Sequence, residues 1–237
     1  MPVHLSFTFT ELTPLLTQNK IVIMLDVFRA STTIITALSQ GAHKIIPLTN
    51  PAKALQLKKA NPQLVLGGEK NGKKIAGFDL GNSPLEYTPG IINKKTVILS
   101  TTNGIPALNK IKNAQRIYIG SFLNAPFLIK KILPTNHKIL LVCAGTRGEY
   151  SLEDTCCAGY FLHLFPEKFT PYFSDQAFAA LALYHQYQND LPFYLCRSRN
   201  GRQLLTSGKW SEITYCCLRG LFPVLPIYEN AVIRREA

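Results

Sequence analysis

The residues able to do chemistry in this 237-residue chain are gathered in a few short stretches, each following an apolar run. They are Asp26-Val27-Phe28-Arg29, Gly67-Gly68-Glu69, Ser100-Thr101-Thr102-Asn103-Gly104 and Cys143-Ala144-Gly145-Thr146-Arg147-Gly148. Carboxylates, hydroxyls, an arginine and Gly-rich backbone together suit a hard cation and a phosphate-like oxyanion. Arg29, beside a carboxylate, is able to clamp a phosphate through two N–H groups. Thr101 to Gly104 lead into a segment with Pro106 near its start, where free backbone N–H groups bind oxyanions. Each stretch also has a plain structural use. Asp26 is a helix-capping type, although Ser31 before Thr32 is expected to take that job. Glu69 precedes a turn-like Lys70-Asn71-Gly72-Lys73-Lys74, and Asp79 and Asn82-Ser83-Pro84 are turn formers. Ser151-Leu152-Glu153-Asp154 reads as a capping box that accounts for Asp154 and leaves Glu153 free.

Acids are scarce, which makes their placement informative. No Asp or Glu occurs at positions 27–68 or 87–148, yet Asp26, Glu69, Asp79, Glu86, Glu149, Glu153 and Asp154 supply half of all 14. Two phosphatase patterns are testable directly. The haloacid dehalogenase pattern needs a second Asp two residues after the first, and Phe28 occupies that position. The cysteine-phosphatase loop needs Cys, five residues, then Arg, and Cys196 to Arg202 meets that spacing. A thiolate among arginines has a lowered pKa and attacks phosphorus, although no His precedes Cys196 and Gln203 replaces the usual hydroxyl residue. The five histidines lack zinc-ligand spacing. The scattered lysine pairs lack the interleaved aromatics of a nucleic-acid stacking platform.

The elements that must position these stretches alternate between short strands and helices. Residues 21–25, 45–48, 64–66, 96–99, 117–119 and 139–142 read as buried strands. Residues 32–39, 51–60, 105–113 and 125–133 have helical spacing. Parallel neighbours need crossover connections, so the alternation predicts an α/β fold with three α/β/α layers and a largely parallel or mixed sheet. Ligands bind outside the carboxyl ends of such strands, so the reactive stretches should converge on one rim. After Asp154 the pattern predicts helices to residue 165 and over 175–188, a strand at 193–196 and a helix-rich tail. No linker, low-complexity segment or repeat is found, which points to a single domain, residues 1–237.

Composition narrows the function. Apolar residues make up 46% of the chain and charged residues 17%, against roughly 25% charged in an average domain. Disordered and collagen-like classes are excluded. The longest apolar run, residues 177–184, is well short of the roughly 18 needed to span a membrane. The N-terminus has no secretory pattern, so a cytoplasmic protein is expected. Six cysteines, four in adjacent doublets, read as reduced thiols. The excess of basic residues, 26 − 14 = +12, points to an anionic partner.

The segments IVIMLDVFRASTTIITAL, LVLGGEKNGKKIAGFDLGNSPLEY, LSTTNGIPAL, IGSFLNA and CAGTRGEYSLEDTCCAG, in that order, resemble the 2-phosphosulfolactate phosphatase family. A weaker likeness continues through SRNGRQLLTSGKWSEITYCC. The resemblance implies an α/β/α hydrolase that uses Mg2+ to remove phosphate from 2-phosphosulfolactate, leaving 3-sulfolactate, a step towards coenzyme M. Asp26, Arg29, Glu69, Asp79, Asn82, Thr101, Thr102, Asn103, Gly145, Thr146, Glu153 and Asp154 match its motif positions. The expected metal ligands are Asp26, Glu69 and one of Glu153 or Asp154. Arg29 and the backbone of Thr102, Asn103 and Gly104 are expected to cradle phosphate, and Ser198, Arg199 and Arg202 to meet the sulfonate. Either water or Asp26 attacks phosphorus in this scheme. Glu212 and Arg219 stand where the family pattern leads one to expect aspartates. Two other readings stay open: a cysteine phosphatase using Cys196 and Arg202, and a basic protein that binds an anion or nucleic acid without turnover. The expected partner is a small anionic phosphorylated substrate, with neither nucleic acid nor membrane, and assembly into a homo-oligomer is left open.

Overall fold

The computed structural model describes residues 2–236. Ten strands among them form one mixed sheet: β1 (Val3–Ser6), β2 (Ile21–Leu25), β3 (Lys44–Pro47), β4 (Val65–Lys70), β5 (Lys73–Lys74), β6 (Thr96–Ser100), β7 (Arg116–Gly120), β8 (Ile139–Cys143), β9 (Pro226–Glu229) and β10 (Val232–Arg235). Their order is β1-β8-β2-β7-β9-β10-β3-β6-β4-β5. Two parallel groups, β1-β8-β2-β7 and β3-β6-β4, are joined by the antiparallel β9-β10 hairpin. Single antiparallel residue pairs, Tyr118 with Ile227 and Ile233 with Ile45, attach that hairpin on either side. The chain's last two strands therefore lie at the middle of its sheet.

The helices are α1 (Pro14–Thr17), α2 (Ala30–Ser39), α3 (Pro51–Ala60), α4 (Pro89–Ile92), α5 (Gly104–Lys110), α6 (Ala125–Ile132), α7 (Leu152–His163), α8 (Asp175–Tyr187), α9 (Leu191–Leu195), α10 (Arg199–Thr206) and α11 (Trp210–Cys216). Side chains alternate across a strand, and β2 feeds two cores accordingly. Ile21, Ile23 and Leu25 pack with Ile139 and Leu141 of β8 and with apolar residues of α6, α7 and α8. Val22 and Met24 join Ile45, Val97 and Leu99 from the other strand group, together with Ile34 of α2 and Ile105 of α5. A third, smaller core sets Ala54 of α3 on Leu66 and Ile98. Each buried aliphatic side chain contributes roughly 1.5–3 kcal/mol by leaving water.

The helix that follows β2 is buried over nine consecutive residues, Ala30 through Leu38. Its four buried hydroxyls are all bonded, and they tie it to the parts that surround the site. Thr32 Oγ1 donates to the Val27 carbonyl at 2.9 Å, Thr33 Oγ1 to the Asn82 carbonyl at 2.8 Å, and Thr36 Oγ1 lies 3.1 Å from Tyr215 Oη. Ser31 Oγ accepts the Asp26 amide at 2.9 Å.

Several elements depart from the sequence expectation. Residues 193–196, expected as a strand from their aromatics, are not one: Leu191–Leu195 form helix α9. Asp190 caps it by accepting the Phe193 amide at 3.2 Å, and Pro192 sits in its first turn, a start signal that overrides β propensity. Strand β1 was not anticipated, nor was the β9-β10 hairpin, whose turn places Asn230 and Ala231 at positive φ. No described helix is long and apolar enough to cross a membrane.

Candidate active site

Asp26 directly follows β2 and is buried. Its Oδ1 accepts the Ala30 amide at 3.2 Å, while no hydrogen bond engages Oδ2 among the described residues. The expected cap does not exist: Ser31 lies inside α2 and serves the Asp26 backbone, and Asp26 itself satisfies the amide of Ala30, the helix's first residue. Burial pushes the Asp26 carboxyl up to about 7, with the Glu69 and Glu153 charges adding to the shift. Such a group is half-protonated near neutrality. Oδ2 also explains Gly104, where a Cβ would lie 2.8 Å from it.

Asp154, in the first turn of α7, joins two strand ends. Oδ1 accepts the Val27 amide at 2.8 Å and Oδ2 the Gly145 amide at 3.1 Å, while its own amide donates to Ser151 Oγ, the helix cap. Burial, then the charges of Glu153 and Asp26, hold its carboxyl well above the usual carboxylate range. The neighbouring Glu153 uses Oε1 to accept from Asn200 Nδ2 at 2.7 Å, and the same nitrogen lies 2.7 Å from Thr146 Oγ1.

Glu69, on β4, bridges in the same way. Its Oε1 accepts the Thr102 amide and Oε2 the Gly72 amide, both at 2.7 Å. The Thr102 amide is therefore committed to Glu69 and does not join a phosphate cradle as expected. Asn103 Oδ1 accepts the Arg147 amide at 3.0 Å, fixing the loop after β6 to the loop after β8. Strands β4 and β6 approach so closely that a Cβ at Gly68 would lie 2.0 Å from the Ser100 carbonyl oxygen, and φ there is +146°.

These loops enclose one cavity of about 160 Å³. Asp26, Arg29, Glu69, Asn82, Thr101, Thr102, Asn103 and Thr146 line it, along with Asn71, Arg147, Arg199, Asn200, Gln203 and Lys209. Four cations and two acids stand on this wall; Glu212 pairs with Arg29 and Lys209, and Glu149 with Arg199, while Arg147 has no ion pair among the described residues. Asn82 Oδ1 is buried and has no hydrogen-bond partner.

Other expected site residues lie elsewhere. Asp79 pairs with Lys58 and accepts the Leu66 amide at 2.8 Å, outside the cavity. Ser198 Oγ caps α10 on the Gly201 amide. Arg202 donates to the Arg197 carbonyl at 2.5 Å. On α10 the lining residues 199, 200, 203 and 204, with 207 just past its end, recur at helical spacing and form one face, which Arg202 misses. Gly145 acts through its amide on Asp154. Cys196 follows helix α9, its Sγ donating to the Phe193 carbonyl at 3.0 Å, so it and Arg202 are not drawn onto a shared anion loop. Sequence reading missed Asn200 and Gln203, whose one available signal was the spacing along α10, and Lys209, which precedes α11. It also left without a role Glu212, whose buried carboxylate pairs with Arg29.

The expected magnesium ligands are only partly assembled. Among the described residues no group of three or more His, Cys, Asp or Glu side chains is arranged around an ion position. Glu69 and Asp154 each use both oxygens on loop amides, which makes them braces of the rim. Asp26, whose Oδ2 carries no hydrogen bond, and Asn82, whose buried Oδ1 has no partner, both line the cavity, and the Glu153 charge acts on Asp26. Oxygen donors of this kind, with one carboxylate completed by substrate oxygens, fit magnesium.

A profile of the family described as 2-phosphosulpholactate phosphatase matches residues 7–231. A probable 2-phosphosulfolactate phosphatase of Caldicellulosiruptor saccharolyticus is 37% identical over 233 residues, covering 96% of each chain. One from Carboxydothermus hydrogenoformans is 41% identical over 209 residues, covering 88% of this chain and 86% of that one. A third, from Clostridium novyi, is 32% identical and covers 92% and 93%.

Proposed function

Since the chain belongs to the 2-phosphosulpholactate phosphatase family, we propose that it is a phosphoric monoester hydrolase that converts 2-phosphosulfolactate and water to 3-sulfolactate and phosphate with magnesium, in the cytoplasm. The observation that carries this reading is the wall itself: a buried aspartate with an unpartnered oxygen faces Arg29, Arg147, Arg199 and Lys209 across a cavity of about 160 Å³. A three-carbon acid bearing phosphate and sulfonate is small and strongly anionic, and matches that space and charge. The chain's +12 net charge would speed its arrival, with an on-rate that falls as salt rises.

Phosphoryl transfer is driven mainly by positioning and by stabilising charge on the transferring group. Asp26 and Asn82 are the residues that would hold magnesium, which when bound supplies positive charge to the phosphoryl oxygens. Arg29 orients the phosphate through the N–H groups that face the cavity. Arg147 and Arg199, on the wall built by the β8 loop and α10, meet the sulfonate and carboxylate. Glu69 and Asp154 keep the loops after β2, β4, β6 and β8 in register around the substrate, so that these groups lose little freedom when it binds.

The test is phosphate release from 2-phosphosulfolactate by purified protein with magnesium, with EDTA, and after thiol alkylation. Loss in EDTA with survival of alkylation is the expected result. Activity that survives EDTA and dies on alkylation would transfer the chemistry to Cys196. Absence of release under every condition would remove 2-phosphosulfolactate as the substrate.

A further inference from the structure

We propose that Glu212, on α11, is a positioning residue that holds Arg29 and Lys209 against the cavity and so sets how the site grips phosphate. The inference rests on the phosphatase reading above. Glu212 is absent from the cavity wall, yet both cations it touches belong to that wall. Its Oε2 accepts from Arg29 Nη1, and its Oε1 lies 3.5 Å from Lys209 Nζ. The Arg29 and Glu212 side chains are only 5% and 8% exposed.

A guanidinium carries five N–H donors in a rigid fork. The bond to Nη1 fixes its plane and leaves the Nη2 and Nε donors for an anion. The acids on the wall do not do this work. Asp26 Oδ1 is bonded to the Ala30 amide and Glu69 to the Thr102 and Gly72 amides. Among the described residues Glu212 is the one side chain bonded to Arg29. It stands 183 positions away in the chain, so the C-terminal helices complete a site begun at β2. Without this carboxylate Arg29 is a buried charge with no hydrogen-bonded side chain to set its orientation.

Charge alone and positioning predict opposite results. Glu212 offsets the positive field of two cations, so a merely electrostatic role means that its neutralisation tightens anion binding. A positioning role means that the same change weakens it. The experiment compares full-length wild type, Glu212→Gln, Glu212→Asp, Arg29→Met and the double variant Arg29→Met/Glu212→Gln. Inorganic phosphate binding is read by calorimetry and turnover by phosphate release. The expected result is weaker phosphate binding and a loss of turnover on the order of tenfold in Glu212→Gln, partial recovery of both in Glu212→Asp, and a double variant whose loss is smaller than the two single losses combined. Unchanged or tighter phosphate binding in Glu212→Gln, or losses that add in the double variant, would overturn the proposal. If Glu212→Gln loses its cooperative melting transition, Glu212→Asp decides: wild-type phosphate affinity and turnover in that variant overturn the proposal, and weakened binding supports it. A wild type that binds phosphate but releases none from 2-phosphosulfolactate defeats the phosphatase reading separately, and the binding comparison then judges Glu212 by the same criteria.

Discussion

Two segments of this chain pair a side chain able to attack phosphorus with an arginine: Asp26 with Arg29, and Cys196 with Arg202. In the first, the acid is buried at a strand end, has an oxygen free of protein partners, and lines the cavity with its arginine. In the second, the thiol bonds to the Phe193 carbonyl and the guanidinium to the Arg197 carbonyl. The thiol is held by local backbone at the end of α9, and neither it nor Arg202 lines the cavity. Spacing is thus a necessary condition for an anion site and not a sufficient one, because the groups must also be turned towards a common space and left unsatisfied within it.

The largest test of that contrast is Asp26→Asn, expected to lower turnover by about 10³-fold or more, with Cys196→Ser leaving phosphate release unchanged. A dead Cys196→Ser with an active Asp26→Asn would reverse the comparison. Next is Asp154→Asn, which puts an amide N–H₂ against the Val27 or Gly145 N–H that the carboxylate now accepts. A buried donor left unsatisfied should cost about 1–3 kcal/mol, seen as a lower denaturation midpoint. The exposed Asp79→Asn, whose ion pair with Lys58 is partly in water, should cost no more than about 1 kcal/mol.

A further test uses pH. The folded state raises the Asp26 carboxyl from 3.8 to about 7, so folded protein binds the proton more tightly than unfolded chain does. Stability from this group is therefore fullest near and below the unfolded value and is lost as pH rises through about 7. In EDTA, wild type should gain thermal stability relative to Asp26→Asn as pH is lowered from about 8 to about 5. Equal slopes for the two proteins would show that Asp26 is already ionised in the metal-free fold. The smallest effect is expected at Arg202→Ala, which should leave inorganic phosphate affinity unchanged, because Arg202 lies off the lining face of α10.

Much of the site was legible before the structure. Asp26, Arg29, Glu69, Thr101, Thr102, Asn103 and Thr146 were marked by their type and by following apolar runs, and Asn82 by the family resemblance, and all line one cavity. Their roles were less legible. Glu69 and Asp154 were expected beside magnesium, and both spend their oxygens on loop amides. A sequence shows that a carboxylate follows a strand, but which amides it meets depends on loops tens of residues away.

Most strands and helices of residues 21–142, the α/β class and the rim at the strand ends follow from local patterning, since apolar period and turn chemistry act within a few residues. The middle of the sheet does not. Hairpin β9-β10 is short, begins with Pro226, and gains its place only by pairing with β7 and β3. The face that α10 presents and the Arg29–Glu212 pair are likewise contacts between distant parts of the chain. Apolar burial and the mutual attraction of two charges that offsets the cost of taking both out of water arise only once the whole chain has packed.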